Sequence, residues 1–125
     1  MKKKIAIVIL TFNSEKTIKK TILASKQITK NIIIVDSNSN DKTVLICKKM
    51  KCKVLSRKFR NYSDQRNWII KKINKKYFWQ LHLDADEVLD DKLINSINKV
   101  INNKNIRKKV FLIRRKYYFL GKKLE

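Results

Sequence analysis

Ile5-Ala-Ile-Val-Ile-Leu10, followed by Thr11-Phe12-Asn13, and Asn31-Ile-Ile-Ile-Val35, followed by Asp36-Ser37-Asn38-Ser39-Asn40-Asp41, decide how the chain is read. Both apolar runs have strand length and neither alternates with polar residues. A strand buried on both faces has this pattern, as in a parallel sheet covered by helices. Outward from these two runs the periods alternate. Lys4 to Leu10 reads as strand, Glu15 to Ser25 as helix, Asn31 to Val35 as strand and Asp41 to Met50 as helix. The rhythm continues with a strand at Lys53 to Leu55, a helix from Ser63 to Ile73, a strand at Phe78 to Leu83 and a helix from Asp90 to Ile101. A last strand is expected over Val110 to Leu120, interrupted by Arg114, Arg115 and Lys116. The pattern predicts an α/β fold: a Rossmann-like, mostly parallel sheet with helices on both faces. Ser14, Asn40, Ser63 and Asp90 are candidate helix caps, and Asp41, Asp64 and Asp91 would put negative charge where the helix dipole favours it.

The chain has 125 residues, 43% of them hydrophobic, which is the size of one domain; residues 1–125 are read as a single unit. Met1-Lys-Lys-Lys before an apolar run mimics a secretory leader, but the run is short and Thr11-Phe-Asn-Ser-Glu15 follows instead of a small-residue cleavage site. No apolar stretch reaches the roughly 20 residues needed to cross a bilayer. A cytoplasmic domain, soluble or peripherally bound at the inner face of the membrane, is therefore expected. Cys47 and Cys52 lack the spacing of a zinc site or a disulfide framework and read as free thiols. The net charge of +22 comes from lysines spread along the whole chain, with Asn and Ile over-used beside them, as an AT-rich coding sequence would give. Most of that charge is assigned to a solvated surface, and the rest to an acidic partner such as an anionic membrane or a phosphorylated ligand.

Open α/β sheets bind ligands at the carboxyl ends of their strands. Here those ends are unusually polar: Thr11-Phe12-Asn13, Asp36 to Asp41, Ser56-Arg57 and Asp84-Ala85-Asp86-Glu87. The chain has only ten acidic residues, so their concentration in these loops stands out, although a single Asp after a strand usually just starts a turn. Asp84 and Asp86 offer oxygen ligands suited to Mg²⁺ or Mn²⁺. The one glycine, Gly121, lies far from the first strand, so no glycine-rich phosphate loop exists. A bound diphosphate would need a metal held by Asp86 and a cation such as Arg66.

The motifs Val8-Ile-Leu-Thr-Phe-Asn13, Ile33 to Thr43, Asp64-Gln-Arg-Asn-Trp68 and Leu83-Asp-Ala-Asp-Glu-Val88 resemble, in order, those of the family 2 glycosyltransferases, in the branch of the lipopolysaccharide-core glucosyltransferases. The resemblance covers nearly all of the chain. It implies a glycosyltransferase A-type fold and a metal-dependent, inverting transfer from a nucleotide-sugar donor, a UDP-sugar by the match at Asp36. A cell-envelope glycan or lipid-linked molecule would be the acceptor. Thr11 and Asn13 would pack on the nucleotide, and Asp36 would meet the uracil edge. Asp84 would lie near the ribose as first acid of the metal motif, Asp86 would hold the cation, and Arg66 would border the nucleotide and sugar. Ser39 and Asp41 match a loop that shapes the site. Asn40 and Lys42 depart from the small residues usual there.

Family members are about twice as long, so the resemblance implies the nucleotide-sugar-binding half, truncated. The catalytic base would lie in the other half, with no substitute at Glu125. General-base assistance is worth about 10²- to 10⁴-fold, so binding would outlast efficient transfer. The alternatives are a donor-binding remnant without turnover and a basic domain that binds nucleic acid or an anionic membrane. Nucleic acid is disfavoured because Asp36, Asp84 and Asp86 at one edge would repel phosphates. His82, Trp68 and Trp79 read as packed core residues, not as site residues. The basic and aromatic segment from Ile106 to Lys123 reads as a membrane-contacting or protected edge segment.

Overall fold

A computed structural model describes residues 3–105 together with the backbone of 117–119 and 122–124. Strand β1 (Lys3–Thr11) is followed by α1 (Ile18–Ser25), β2 (Ile32–Asp36), α2 (Thr43–Lys49), β3 (Lys53–Ser56), α3 (Tyr62–Ile73), β4 (Tyr77–Asp84) and α4 (Asp91–Asn102). These four strands form one parallel sheet in the order β3-β2-β1-β4. The register sets Thr11 opposite Asp36, Asp36 opposite Ser56 and Leu10 opposite Asp84, so the polar strand ends line up along one edge.

Both sheet faces are covered, which explains the unbroken apolar runs. Ile7, Ile9, Ile32 and Ile34 turn to one face, where Ile18 and Ile22 of α1, Cys47 of α2 and Ile94 of α4 pack. Ala6, Val8, Leu10, Ile33 and Val35 turn to the other, covered by Ile69 and Ile73 of α3 with half-buried Trp68. Cys47 and Cys52 are free thiols, and burial pushes Cys47 up to about 12, so it acts as a small core side chain.

The helix starts differ from the sequence expectation at three of four places. Asp90 caps α4, accepting from Leu93 N at 2.8 Å. The α3 cap is Asn61 in place of Ser63: its Oδ1 accepts from Asp64 N at 2.8 Å, and the helix begins at Tyr62. Helices α1 and α2 begin later than Glu15 and Asp41 and have no side-chain cap, because Ser14, Asn40 and Asp41 serve the loops before them. Strand β5 (Tyr117–Phe119) pairs antiparallel with β6 (Lys122–Leu124) as a separate sheet, whereas the sequence suggested one strand through Leu120. Residues 106–116, 120 and 121 of the basic segment lie outside the described residues.

Candidate functional site

The loops after β1 and β2 are fastened to each other by side chains. Asn13 N–H donates to Ser39 Oγ at 2.8 Å, and Asn40 N–H donates to Asn13 Oδ1 at 2.8 Å. Ser14 N–H donates to Thr43 Oγ1 at 2.7 Å, and Glu15 N–H to Asp41 Oδ2 at 3.2 Å. Asn13 and Asn38 have positive φ (45° and 57°), a conformation that asparagine tolerates better than most residues. Paired loops of this kind hold the strand ends open without glycine. Partial desolvation of Asp41 is outweighed by hydrogen bonds from Thr43 and Glu15, and its carboxyl is held below the usual range.

Asp36 is the hub beneath them. It is 1% exposed; its Oδ1 accepts from Thr11 Oγ1 and Ser39 Oγ, both at 2.6 Å, and its Oδ2 from Ser39 N–H at 2.8 Å. A buried carboxylate this well supplied ties β1 to the β2–α2 loop.

The acidic turn after β4 is also braced. Glu87 Oε1 accepts from Asp84 N–H at 2.7 Å, and Glu87 N–H donates to Asp84 O at 3.1 Å. Thr21 of α1 donates its hydroxyl to Ala85 O at 2.7 Å, and Ala85 packs against the core. With Ala85 turned inward, Asp84 and Asp86 face the cavity. Asp84 Oδ1 accepts from Arg66 Nη2 at 2.8 Å, so the arginine sits against the first acid of the motif. Arg66 Nη1 is buried without a hydrogen-bond partner, an unspent donor beside the site. His82 packs behind this pair with Nε2 2.9 Å from Gln80 Oε1; burial, and then the Arg66 charge, depress it from 6.5 to about 4, so its ring is neutral. Arg57 donates to Asp64 at 2.7 Å and to Gln65 Oε1 at 2.9 Å, and holds the Asp64 carboxyl below its ordinary range.

A cavity of about 600 Å³ opens at this edge, within the usual size for small-ligand sites. Of the residues singled out in the sequence, Thr11, Asn13, Asp84 and Asp86 line it, whereas Asp36 and Arg66 stand behind the wall, bonded to Thr11 and Asp84. Asp86 is exposed to it. Among the described residues no group of three or more His, Cys, Asp or Glu side chains converges. That donor set fits Mg²⁺ or Mn²⁺ held by one or two carboxylates together with substrate phosphates, and does not fit an all-protein cage. Sequence reading missed Phe59 and Tyr62, which line the cavity with Phe12 and stack edge to face at 5.2 Å. It also missed Gln65, fully buried and donating to Ser37 Oγ at 3.2 Å. Two aromatic residues three positions apart at the start of a helix, in the loop that follows a strand, were the available signal. Trp68 stays in the core layer, under Arg57 at 4.9 Å and Lys72 at 5.4 Å.

Parallel topology, a polar carboxyl edge and a cavity lined by two carboxylates define an α/β domain with a candidate small-ligand site at the ends of its strands. The family model for Glycosyl transferase family 2 matches residues 6–121, and the chain belongs to that family. An uncharacterized glycosyltransferase of Rickettsia bellii (strain RML369-C) is 34% identical over 103 residues, covering 82% of this chain and 34% of the relative. The chain thus spans about a third of the length of the curated relatives it matches. S. aureus TarS 1–349 in complex with UDP shares the fold with a TM-score of 0.62 at 22% identity, over 82% of this chain and 32% of that one. Mannosyltransferase PcManGT from Pyrobaculum calidifontis, in complex with GDP-Man and Mn²⁺, does so with a TM-score of 0.60 at 13% identity, over 85% and 34%. The fold is glycosyltransferase A-type, as the motifs implied.

Proposed function

We propose that this domain holds the donor of a metal-dependent, inverting glycosyltransferase, taking a UDP-sugar together with Mg²⁺ or Mn²⁺. The observation that carries this reading is the exposed Asp86 carboxylate beside Asp84 in a cavity that also presents Thr11 and Asn13. Neighbours of the same fold bind UDP, or GDP-Man with Mn²⁺, which supports both the donor class and the cation. A cation bound there would neutralise the diphosphate and ease its departure as a leaving group.

The residues of the chain do the positioning. Asp86 contributes the metal ligand, while Asp84, oriented by Arg66 and by the Glu87 turn, faces the ribose and the cation. Thr11 and Asn13 form the floor under the nucleotide, fixed by Asp36 and Asn40. Arg66 stands behind the cavity wall and acts through Asp84, whose carboxylate it holds at 2.8 Å on the cavity side. Both acids among the described lining residues serve donor and cation, so the base that deprotonates the acceptor hydroxyl is assigned to residues beyond this wall. The acceptor class is a cell-envelope glycan or lipid-linked molecule of lipopolysaccharide-core type. The setting is cytoplasmic, at the inner face of the membrane; no helix among the described residues is long and apolar enough to cross it. The two acids at the cavity count against nucleic acid as the ligand, since they repel its phosphates.

The test is the thermal midpoint of the native chain and of Asp86→Ala with UDP or GDP, with and without Mn²⁺. Ligand at a hundred times its Kd stabilises the native state by about 2.7 kcal/mol. A Mn²⁺-dependent rise with UDP, absent from Asp86→Ala, is the expected result. No rise with either nucleotide refutes the donor site, and an undiminished rise in the variant refutes the metal assignment.

A further inference from the structure

Helices α1 and α2 lie side by side on the same sheet face, and their outer surfaces repeat one arrangement. On α1, exposed Leu23 has Lys19 and Lys20 one turn before it and Lys26 one turn after. On α2, exposed Leu45 has Lys42 one turn before it and Lys48 and Lys49 one turn after. Residues three or four apart share a helix face, so each leucine is the apolar centre of a lysine cluster. Both leucines are 51% exposed, although Ile18, Ile22 and Cys47 on the same helices are fully buried. Neither helix contains an acidic residue, and the acids just before them are occupied: Glu15 Oε2 accepts from Lys42 N–H at 3.3 Å and Asp41 from Thr43 N–H at 2.9 Å. By contrast, α4 carries Asp91 in its first turn beside Asp90.

We propose that this α1–α2 face docks on an anionic lipid bilayer, the six lysines meeting headgroup charge and Leu23 and Leu45 entering the interface. A flat basic surface with isolated apolar side chains is the chemistry that anionic membranes bind. The placement suits the cavity: Ser14 and Thr17, just before α1, are among its lining residues, so the docking face adjoins the cavity wall. An acceptor anchored in the same bilayer is thereby presented to the site. The proposal extends the membrane-proximal setting to a particular surface and does not depend on the donor reading.

The test is co-sedimentation of the full chain with phosphatidylcholine vesicles and with phosphatidylcholine–phosphatidylglycerol vesicles. The variants are Lys19→Glu/Lys20→Glu/Lys48→Glu, Leu23→Ser/Leu45→Ser, and Lys71→Glu/Lys75→Glu near the end of α3 on the opposite sheet face. All the altered side chains are exposed, and circular dichroism melts confirm folding. Each lysine near such a surface contributes roughly fivefold to partitioning, so losing three lowers it by on the order of a hundredfold, and the triple reversal, which adds three repelled acids, by at least that. The leucine pair should lower it by about tenfold, and the α3 control should stay near native binding. Absent binding to the anionic vesicles, or equal losses in the α1–α2 and α3 charge variants, overturns the proposal. So does tighter binding to a single-stranded oligonucleotide that the triple reversal abolishes, since the face would then serve nucleic acid.

Discussion

Replacing Asp36 with alanine tests whether the carboxylate is the hub of the site or a direct contact for the nucleotide. In the folded chain it accepts from the Thr11 hydroxyl, the Ser39 hydroxyl and the Ser39 N–H, at 2.6, 2.6 and 2.8 Å. Alanine leaves these donors facing a small hollow at a position that is 1% exposed. Each buried donor left without a partner costs about 1–3 kcal/mol, and two of the three are hydroxyls that can rotate to recover part of it. The expected loss is therefore about 3–5 kcal/mol, a large share of the roughly 5–15 kcal/mol that holds a domain folded. For a chain of this size that is a fall of about 10–20 °C in the thermal midpoint. Asp36→Asn keeps one acceptor oxygen and should lose about half as much. Ser39→Ala, combined with Asp36→Ala, should cost less than the two separately, because they break the same bonds. Urea and thermal unfolding of Asp36→Ala, Asp36→Asn, Ser39→Ala and the double variant measure this. An Asp36→Ala midpoint within about 3 °C of native refutes the hub, and if UDP affinity fell at unchanged stability Asp36 would be a nucleotide contact instead.

Arg66→Ala removes the partner of Asp84 and the buried Nη1 donor; the half-exposed ion pair itself is worth about 1 kcal/mol or less, so folding should be little affected. Titration calorimetry with UDP and Mn²⁺ should show weaker binding by about tenfold or more, and unchanged affinity would remove Arg66 from the site. Phe59→Ala and Tyr62→Ala should leave the melting point near native, since these rings are 42% and 67% exposed. If the rings stack on the base, each substitution weakens UDP by about tenfold, which the same titration reads. His82 gives a pH dependence. Its folded value, about 4, lies below the ordinary 6.5, so the unfolded chain takes up a proton first; stability is intact above 6.5 and falls as pH drops towards 4. The slope is below about 1.4 kcal/mol per pH unit, because the ring is only partly buried. Melts of His82→Asn from pH 4 to 7 should lack that component, and an unchanged slope would show that other groups carry it.

The order of strands and helices was legible in the sequence because burial on both faces leaves its mark in unbroken runs such as Ile5 to Leu10 and Ile32 to Val35. The carboxyl edge was legible too, since polar residues crowd behind every strand of a lysine-rich chain. Helix starts were less so: Ser14 and Asn40 look like caps, but their backbone N–H groups donate across to the neighbouring loop, to Thr43 and Asn13, nearly thirty positions away, and the Ser14 hydroxyl turns back to Phe12 O. Only the tertiary structure divided the site acids by role. Asp36 and Asp86 both follow a strand, yet parallel register drives Asp36 into the seam between β1 and β2, whereas the Glu87 and Thr21 braces hold Asp86 outward into the cavity. Local sequence sets which groups are acidic; the depth of each below the surface, and whether its oxygens are already taken, is decided by elements distant in the chain.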